Sequence, residues 1–112
     1  MAIITDEYMR QMLDNTKEYC ICMIKMTPRR REPGANQVVW EHGRRNFSLR
    51  ADGVLSIVCP ISDEGSFNGI YIFNAGLDKV KDIMDQDPAI KAGIFTYELH
   101  LCRSFPGDEL PR

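Results

Sequence analysis

Two residues of this sequence form a candidate acid–base pair, His42 and Asp87. An imidazole titrates near neutral pH and can take and return a proton, and a nearby carboxylate can hold it in one tautomer. His42 lies early in a predicted helix, whose N-terminal end favours the neutral ring. Both residues also have an ordinary structural interpretation. A histidine can simply pack on a neighbouring helix, and a carboxylate before a proline binds the amide groups of a turn.

Four further polar residues are candidates for substrate binding: Arg29, Arg45, Glu98 and His100. The two arginines belong to a locally positive region in a chain of net charge −2, which would guide an anionic carboxylate or phenolate. Runs of arginine are also common in solvated loops. The last strand places Glu98 and His100 on the face opposite its apolar residues, where a polar interface contact is the alternative.

Composition excludes several classes of protein. A length of 112 residues allows one domain, and a pI of about 5.6 argues against binding nucleic acid by phosphate neutralisation. No apolar run approaches the roughly 20 residues of a membrane span, and the first residues lack the pattern of a signal peptide. We therefore expect a cytoplasmic protein that binds neither membranes nor nucleic acids.

The cysteines and histidines give no metal-binding pattern. The four cysteines contain no CxxC pair, and the chain has only two histidines, so we expect no metal and no cofactor. Cys20 and Cys22 alternate within an apolar strand and are interpreted as small hydrophobic residues rather than nucleophiles.

The pattern of elements predicts a helix followed by β-α-β-β-α-β. Thr5 is the expected N-cap of the first helix, and prolines and glycines separate the later segments. Helical spacing predicts a helix over residues 36–51, and residues 85–93 are predicted to form a turn. Two nested right-handed crossovers in this order give an α+β, ferredoxin-like sandwich. The predicted organisation is a helix at 1–17, the domain at 18–103 and a tail at 104–112.

The predicted topology brings distant residues together and leaves one sheet face uncovered. His42 and Asp87 meet at the same end of the sandwich, close to the loop that carries Arg29. The open face is expected to expose Tyr71 and Phe73, an apolar patch too large for a lone monomer. We therefore expect a homodimer, with the first helix docked on its own domain or on the partner subunit.

A segment of the sequence resembles a known family. Residues 87–95 read DPAIKAGIF, which resembles the DP-x-x-x-A-G-[VIL] motif of the YCII-related (YciI-like) family. An early-helix histidine, the following D-G-V-L and a strand ending in Cys59-Pro60 resemble that family's H…G-x-L…G-P pattern, with Cys59 in place of its glycine. The resemblance covers residues 18–103.

The resemblance implies a dimeric α+β barrel with a ferredoxin-like fold, related in architecture to muconolactone isomerases. It implies His42 and Asp87 as the acid–base pair, and one branch of the family acts on chlorinated hydroxyhydroquinones. The first hypothesis is therefore a cofactor-independent lyase or isomerase for a small aromatic or lactone-like metabolite. The alternative is a non-catalytic dimeric module that binds a metabolite or stabilises a partner. An RNA-recognition domain has the same element order, but the third strand lacks its basic and aromatic core motif.

Overall fold

The computed structural model describes all 112 residues and folds them into one antiparallel sheet with helices on one face. The strands pair in the order β2-β3-β1-β4, which is the arrangement of a ferredoxin-like sandwich, and the predicted fold class is confirmed at that level. A short 3₁₀ turn at Pro28–Arg31 leads from β1 into α2. The elements are α1 (Asp6–Asp14), β1 (Lys17–Met26), α2 (Ala35–Ala51), β2 (Leu55–Pro60), β3 (Phe67–Phe73), α3 (Leu77–Asp85), α4 (Pro88–Lys91) and β4 (Phe95–Ser104).

The helix α1 begins as predicted but does not pack on its own domain. The Thr5 hydroxyl accepts a hydrogen bond from the Tyr8 backbone N–H at 3.1 Å, which confirms Thr5 as the N-cap. No residue of α1 is buried. The radius of gyration is 16.5 Å, whereas a compact chain of this length has about 13 Å. Of the two expected positions of α1, the structure does not show docking on its own domain, and docking on a partner stays a prediction.

The core lies between the sheet and α2, α3 and α4. Cys20 and Cys22 of β1 are fully buried in it, as their interpretation as small hydrophobic residues requires. The expectation that Tyr71 and Phe73 lie on the open face is wrong, because they are 3% and 0% exposed and belong to this core. Both faces of β3 are apolar, so alternation alone does not show which face the helices cover.

The open face of the sheet is apolar at its centre. Ile21 and Met23 of β1 lie beside Ile72 and Ile70 of β3, and all four are half-buried. The residues of β4 on this face are polar at the edge. No helix of the structure has both the length and the apolar character needed to cross a bilayer.

Candidate active site

His42 projects from the middle of α2 towards the sheet. Helical spacing places it on the inner face of α2 with Asn46 one turn later, and both side chains are 4% exposed. The imidazole meets Phe95 edge-on, with ring centroids 5.1 Å apart. The expected position near the helix N-terminus is wrong, since α2 begins at Ala35 and the helix dipole acts mainly within the first turn.

Asp87 is both the N-cap of α4 and the partner of His42. One carboxylate oxygen, Oδ2, accepts hydrogen bonds from the backbone N–H groups of Ala89 at 3.0 Å and Ile90 at 3.2 Å. The imidazole Nδ1 lies 2.8 Å from Oδ1 and 2.9 Å from Oδ2. The carboxylate is fully buried. It both binds the amide groups of the turn and pairs with His42. The predicted convergence of His42 and Asp87 is therefore present in the structure.

The second ring nitrogen of His42 contacts Tyr71. The phenol oxygen lies 2.8 Å from Nε2, and the Asn46 amide nitrogen lies 3.3 Å from the same atom. A carboxylate only accepts hydrogen bonds, so His42 carries its proton on Nδ1, and Nε2 accepts from the Tyr71 hydroxyl. Burial raises the pKa of Tyr71 to about 12, and a hydrogen bond with Asn46 opposes this rise. The four side chains thus form one relay with a single hydrogen-bond direction, from Asn46 and Tyr71 through His42 to Asp87.

Arg45 lies between this relay and solvent. Its Nη1 is 3.8 Å from Asp87 Oδ1, and the arginine side chain is 27% exposed. Nη1 is itself buried and has no hydrogen-bond partner. An unpartnered guanidinium nitrogen beside a buried carboxylate is able to accept an anionic oxygen from a ligand.

The relay residues do not line the three main surface cavities. Three cavities of about 950, 470 and 520 Å³ are lined by other residues. The relay side chains themselves are at most 4% exposed. No group of three or more His, Cys, Asp and Glu side chains is arranged to share a metal ion.

The other predicted substrate-binding residues lie apart from the relay. Arg29 packs against the turn after α4, where its Nη1 donates to the Ala92 carbonyl at 3.4 Å. Glu98 and His100 are exposed on the open sheet face, 3.8 Å from each other, and the sheet separates them from His42. The structure thus brings Arg45 to the acid–base pair, holds Arg29 at the other end of α4, and does not bring Glu98 or His100 there.

Sequence reasoning missed Tyr71 and Asn46 as members of the site. Asn46 was detectable, because it follows His42 by four residues on one helix and so shares its face. Tyr71 was assigned to the open face, and only the packing of β3 under α2 shows that its hydroxyl meets the histidine.

Comparisons with known proteins give a structural neighbour but no sequence family. No family model and no curated protein matches the chain. Among solved structures, the chain is similar to the 5-chloro-2-hydroxyhydroquinone dehydrochlorinase of Burkholderia phenoliruptrix AC1100, in complex with 2,5-dihydroxybenzoquinone. The TM-score is 0.51 at 19% identity, over 73% of this chain and 90% of that one. At this identity the likeness supports the fold alone.

Proposed function

We propose that this protein is a cofactor-independent acid–base enzyme of the lyase or isomerase type, acting on a small aromatic or lactone-like metabolite. The single observation that carries the proposal is the oriented relay of Asp87, His42, Tyr71 and Asn46. Proton transfer needs a base in a defined tautomer, and the Asp87 carboxylate imposes that tautomer on His42.

The proton would enter the relay at its Tyr71 end. When Tyr71 loses its proton to His42 Nε2, the phenolate can accept one from a bound substrate, while Asp87 stabilises the imidazolium. The high pKa of Tyr71 means that these two transfers must be coupled, because free tyrosinate is scarce near neutral pH. His42 is then base and acid in turn, and Asp87 orients it.

Arg45 would bind the anionic part of the substrate. Its buried, unpartnered Nη1 lies beside the relay and suits a phenolate or carboxylate oxygen. Binding of that oxygen would draw the arginine away from Asp87 and open the site. Arg29, at the far end of α4, would add positive charge along the approach.

The proposed class of reaction includes the one named for the structural neighbour, a dehydrochlorinase that shares the fold of this chain. A dehydrochlorinase eliminates hydrogen chloride, and elimination of this kind requires a proton acceptor. The DPAIKAGIF segment, whose aspartate is the partner of His42, supports membership in the YCII-related family of dimeric α+β barrels.

A homodimer is part of the proposal, since the open sheet face is apolar at its centre. A second copy facing it would cover Ile21, Met23, Ile70 and Ile72 and enclose Glu98 and His100 between two sheets. In such a dimer Glu98 and His100 would contribute to substrate binding from the space between the two sheets.

The test is turnover by the full chain of a panel of hydroxylated and chlorinated hydroquinones and small lactones, followed by absorbance and by chloride release. We expect His42→Ala to lower turnover by roughly 10²- to 10⁴-fold, the range for general acid–base catalysis. Asp87→Asn should also lower turnover, whereas its matched control Asp82→Asn, on the exposed side of α3, should not. Unchanged turnover in His42→Ala would remove the proposal.

The closed state of the relay favours one alternative, a non-catalytic dimeric module that binds a metabolite or stabilises a partner. All four relay residues are at most 4% exposed. In that case a panel compound binds without conversion, and His42→Ala changes its affinity or the stability of the fold alone. Calorimetric titration beside the turnover assay separates the two functions.

A further inference from the structure

The helix α1 is amphipathic, and nothing in its own chain covers its apolar face. Tyr8, Met9, Met12 and Leu13 form a stripe along one side, and Tyr8, Met9 and Leu13 are 47%, 48% and 58% exposed. An isolated helix of nine residues is marginal in water, so its formation requires a packing partner.

The junction between α1 and β1 holds this helix away from the domain. Only two residues separate the elements, and both are hydrogen-bonded. The Asn15 side chain donates to the Gln11 carbonyl at 2.7 Å, and the Thr16 hydroxyl donates to the Leu13 carbonyl at 3.3 Å. Arg103 of β4 donates to that same hydroxyl at 3.0 Å. These hydrogen bonds fix the end of α1 to the start of β1, and in this position no residue of α1 is buried.

A groove of suitable chemistry lies on the outer side of α2. This α2 groove has a volume of about 520 Å³, and it contains two strongly exposed aromatic side chains, Trp40 at 66% and Phe47 at 63%. Arginines border the aromatic floor. The residues that line the groove include Arg30, Val39, Trp40, Gly43, Arg44 and Phe47.

Gly43 lines the α2 groove and has no close neighbour at the position of a side chain. A glycine inside a helix is destabilising relative to alanine. A Cβ at Gly43 would meet nothing within 4 Å, so no neighbour in this chain requires its absence. A flat position between Trp40 and Phe47 allows another helix to approach closely.

The charges of the two surfaces are opposite. Asp6, Glu7 and Asp14 give α1 three carboxylates against one arginine, and none of the three is in an ion pair. Two arginines lie at the α2 groove: Arg30, which has no ion pair, and Arg44, which forms an exposed ion pair with Glu41 at 3.1 Å. The apolar stripe and acidic ends of α1 therefore complement the aromatic side chains and positive charge of the α2 groove.

We propose that α1 of one copy of this chain docks in the α2 groove of a second copy. The exchange is reciprocal, so each pair of chains forms the contact twice. This contact is separate from the proposed contact between the two open sheet faces, and it does not depend on the proposed enzymatic activity.

Trp40 is the single tryptophan of the chain, so its fluorescence reports on the α2 groove. In the full chain, we expect emission to shift to shorter wavelength and acrylamide quenching to weaken as concentration rises, in parallel with self-association measured by sedimentation. The double variant Tyr8→Ala, Leu13→Ala should keep Trp40 accessible at every concentration. Gln11→Ala, on the polar side of α1, is the matched control and should behave as the unaltered chain.

A charge exchange identifies the partner as a second copy. A chain with Arg44→Glu and a chain with Asp6→Lys and Glu7→Lys should each associate more weakly than the unaltered chain. Their equimolar mixture should recover association, because each altered helix then faces a groove of opposite charge.

Two outcomes overturn the proposal. One is a chain that stays monomeric with Trp40 accessible up to the highest concentration reached. The other is self-association in which Trp40 remains accessible and the Tyr8→Ala, Leu13→Ala variant associates normally, which would assign the contact to the open sheet face. Protection of Trp40 that follows association, and is lost in that variant, supports the proposal.

Discussion

Replacement of Asp87 by asparagine tests the relay most directly, because it preserves shape and removes charge. Asparagine is a good N-cap, so its oxygen can still accept from Ala89 and Ile90. Its amide group then points a donor at His42 Nδ1. To avoid two opposed donors, His42 must move its proton from Nδ1 to Nε2.

The effect on stability follows from the bonds that Asp87 makes. Three charge-assisted hydrogen bonds become neutral, and each change destabilises the fold by about 1 kcal/mol. The Tyr71 hydroxyl loses its acceptor, which destabilises the fold further, by about 1–3 kcal/mol. Removal of a buried charge offsets part of this loss. We expect the free energy of unfolding to fall by about 2–3 kcal/mol in Asp87→Asn. In Asp87→Ala, where the amides and His42 lose their partner outright, the fall should be about 3–5 kcal/mol.

Two measurements check this expectation. Urea unfolding followed by circular dichroism gives the stability change, with Asp82→Asn as a control that should stay within about 0.5 kcal/mol. The ¹⁵N chemical shifts of the imidazole identify which ring nitrogen carries the proton. An Asp87→Asn protein that keeps the proton of His42 on Nδ1, with stability close to that of the unaltered chain, would contradict the assigned role of Asp87.

Three more expectations follow from the structure. Tyr71→Phe should cost about 1–2 kcal/mol and leave the proton of His42 on Nδ1, which the same unfolding and ¹⁵N measurements check. Burial raises the pKa of Cys22 from 9.0 and of Tyr71 from 10.0, in each case to about 12. The folded chain therefore keeps protons that the unfolded chain loses between about pH 9 and 12, so stability should fall as pH rises through this range. Urea titrations across the range should show a smaller fall for Cys22→Ala. Gly93→Ala should cost about 1–2 kcal/mol in urea unfolding, because Gly93 has φ +72° and a Cβ there would lie 3.3 Å from Arg29 Cδ; an unchanged midpoint would contradict this.

Much of the fold was predictable from local patterns. The N-cap at Thr5, the apolar first strand and the helix over residues 36–51 depend on neighbouring residues, and the structure reproduces them closely. The short helix α4 was predicted as a turn, because four residues are too few to show helical spacing. Its cap, Asp87, was nonetheless recognised as a residue that binds turn amides.

The sequence by itself placed His42 close to Asp87. The order of helices and strands allows one right-handed topology, and in that topology both residues lie at the same end of the sandwich. The place of Tyr71 was decided only by the tertiary structure. A strand with two apolar faces carries no local signal for the covered one, and that choice depends on which side α2 crosses. Packing likewise decided that the relay is closed and that α1 lies free of its domain, because burial is a property of surfaces in contact and not of any one segment.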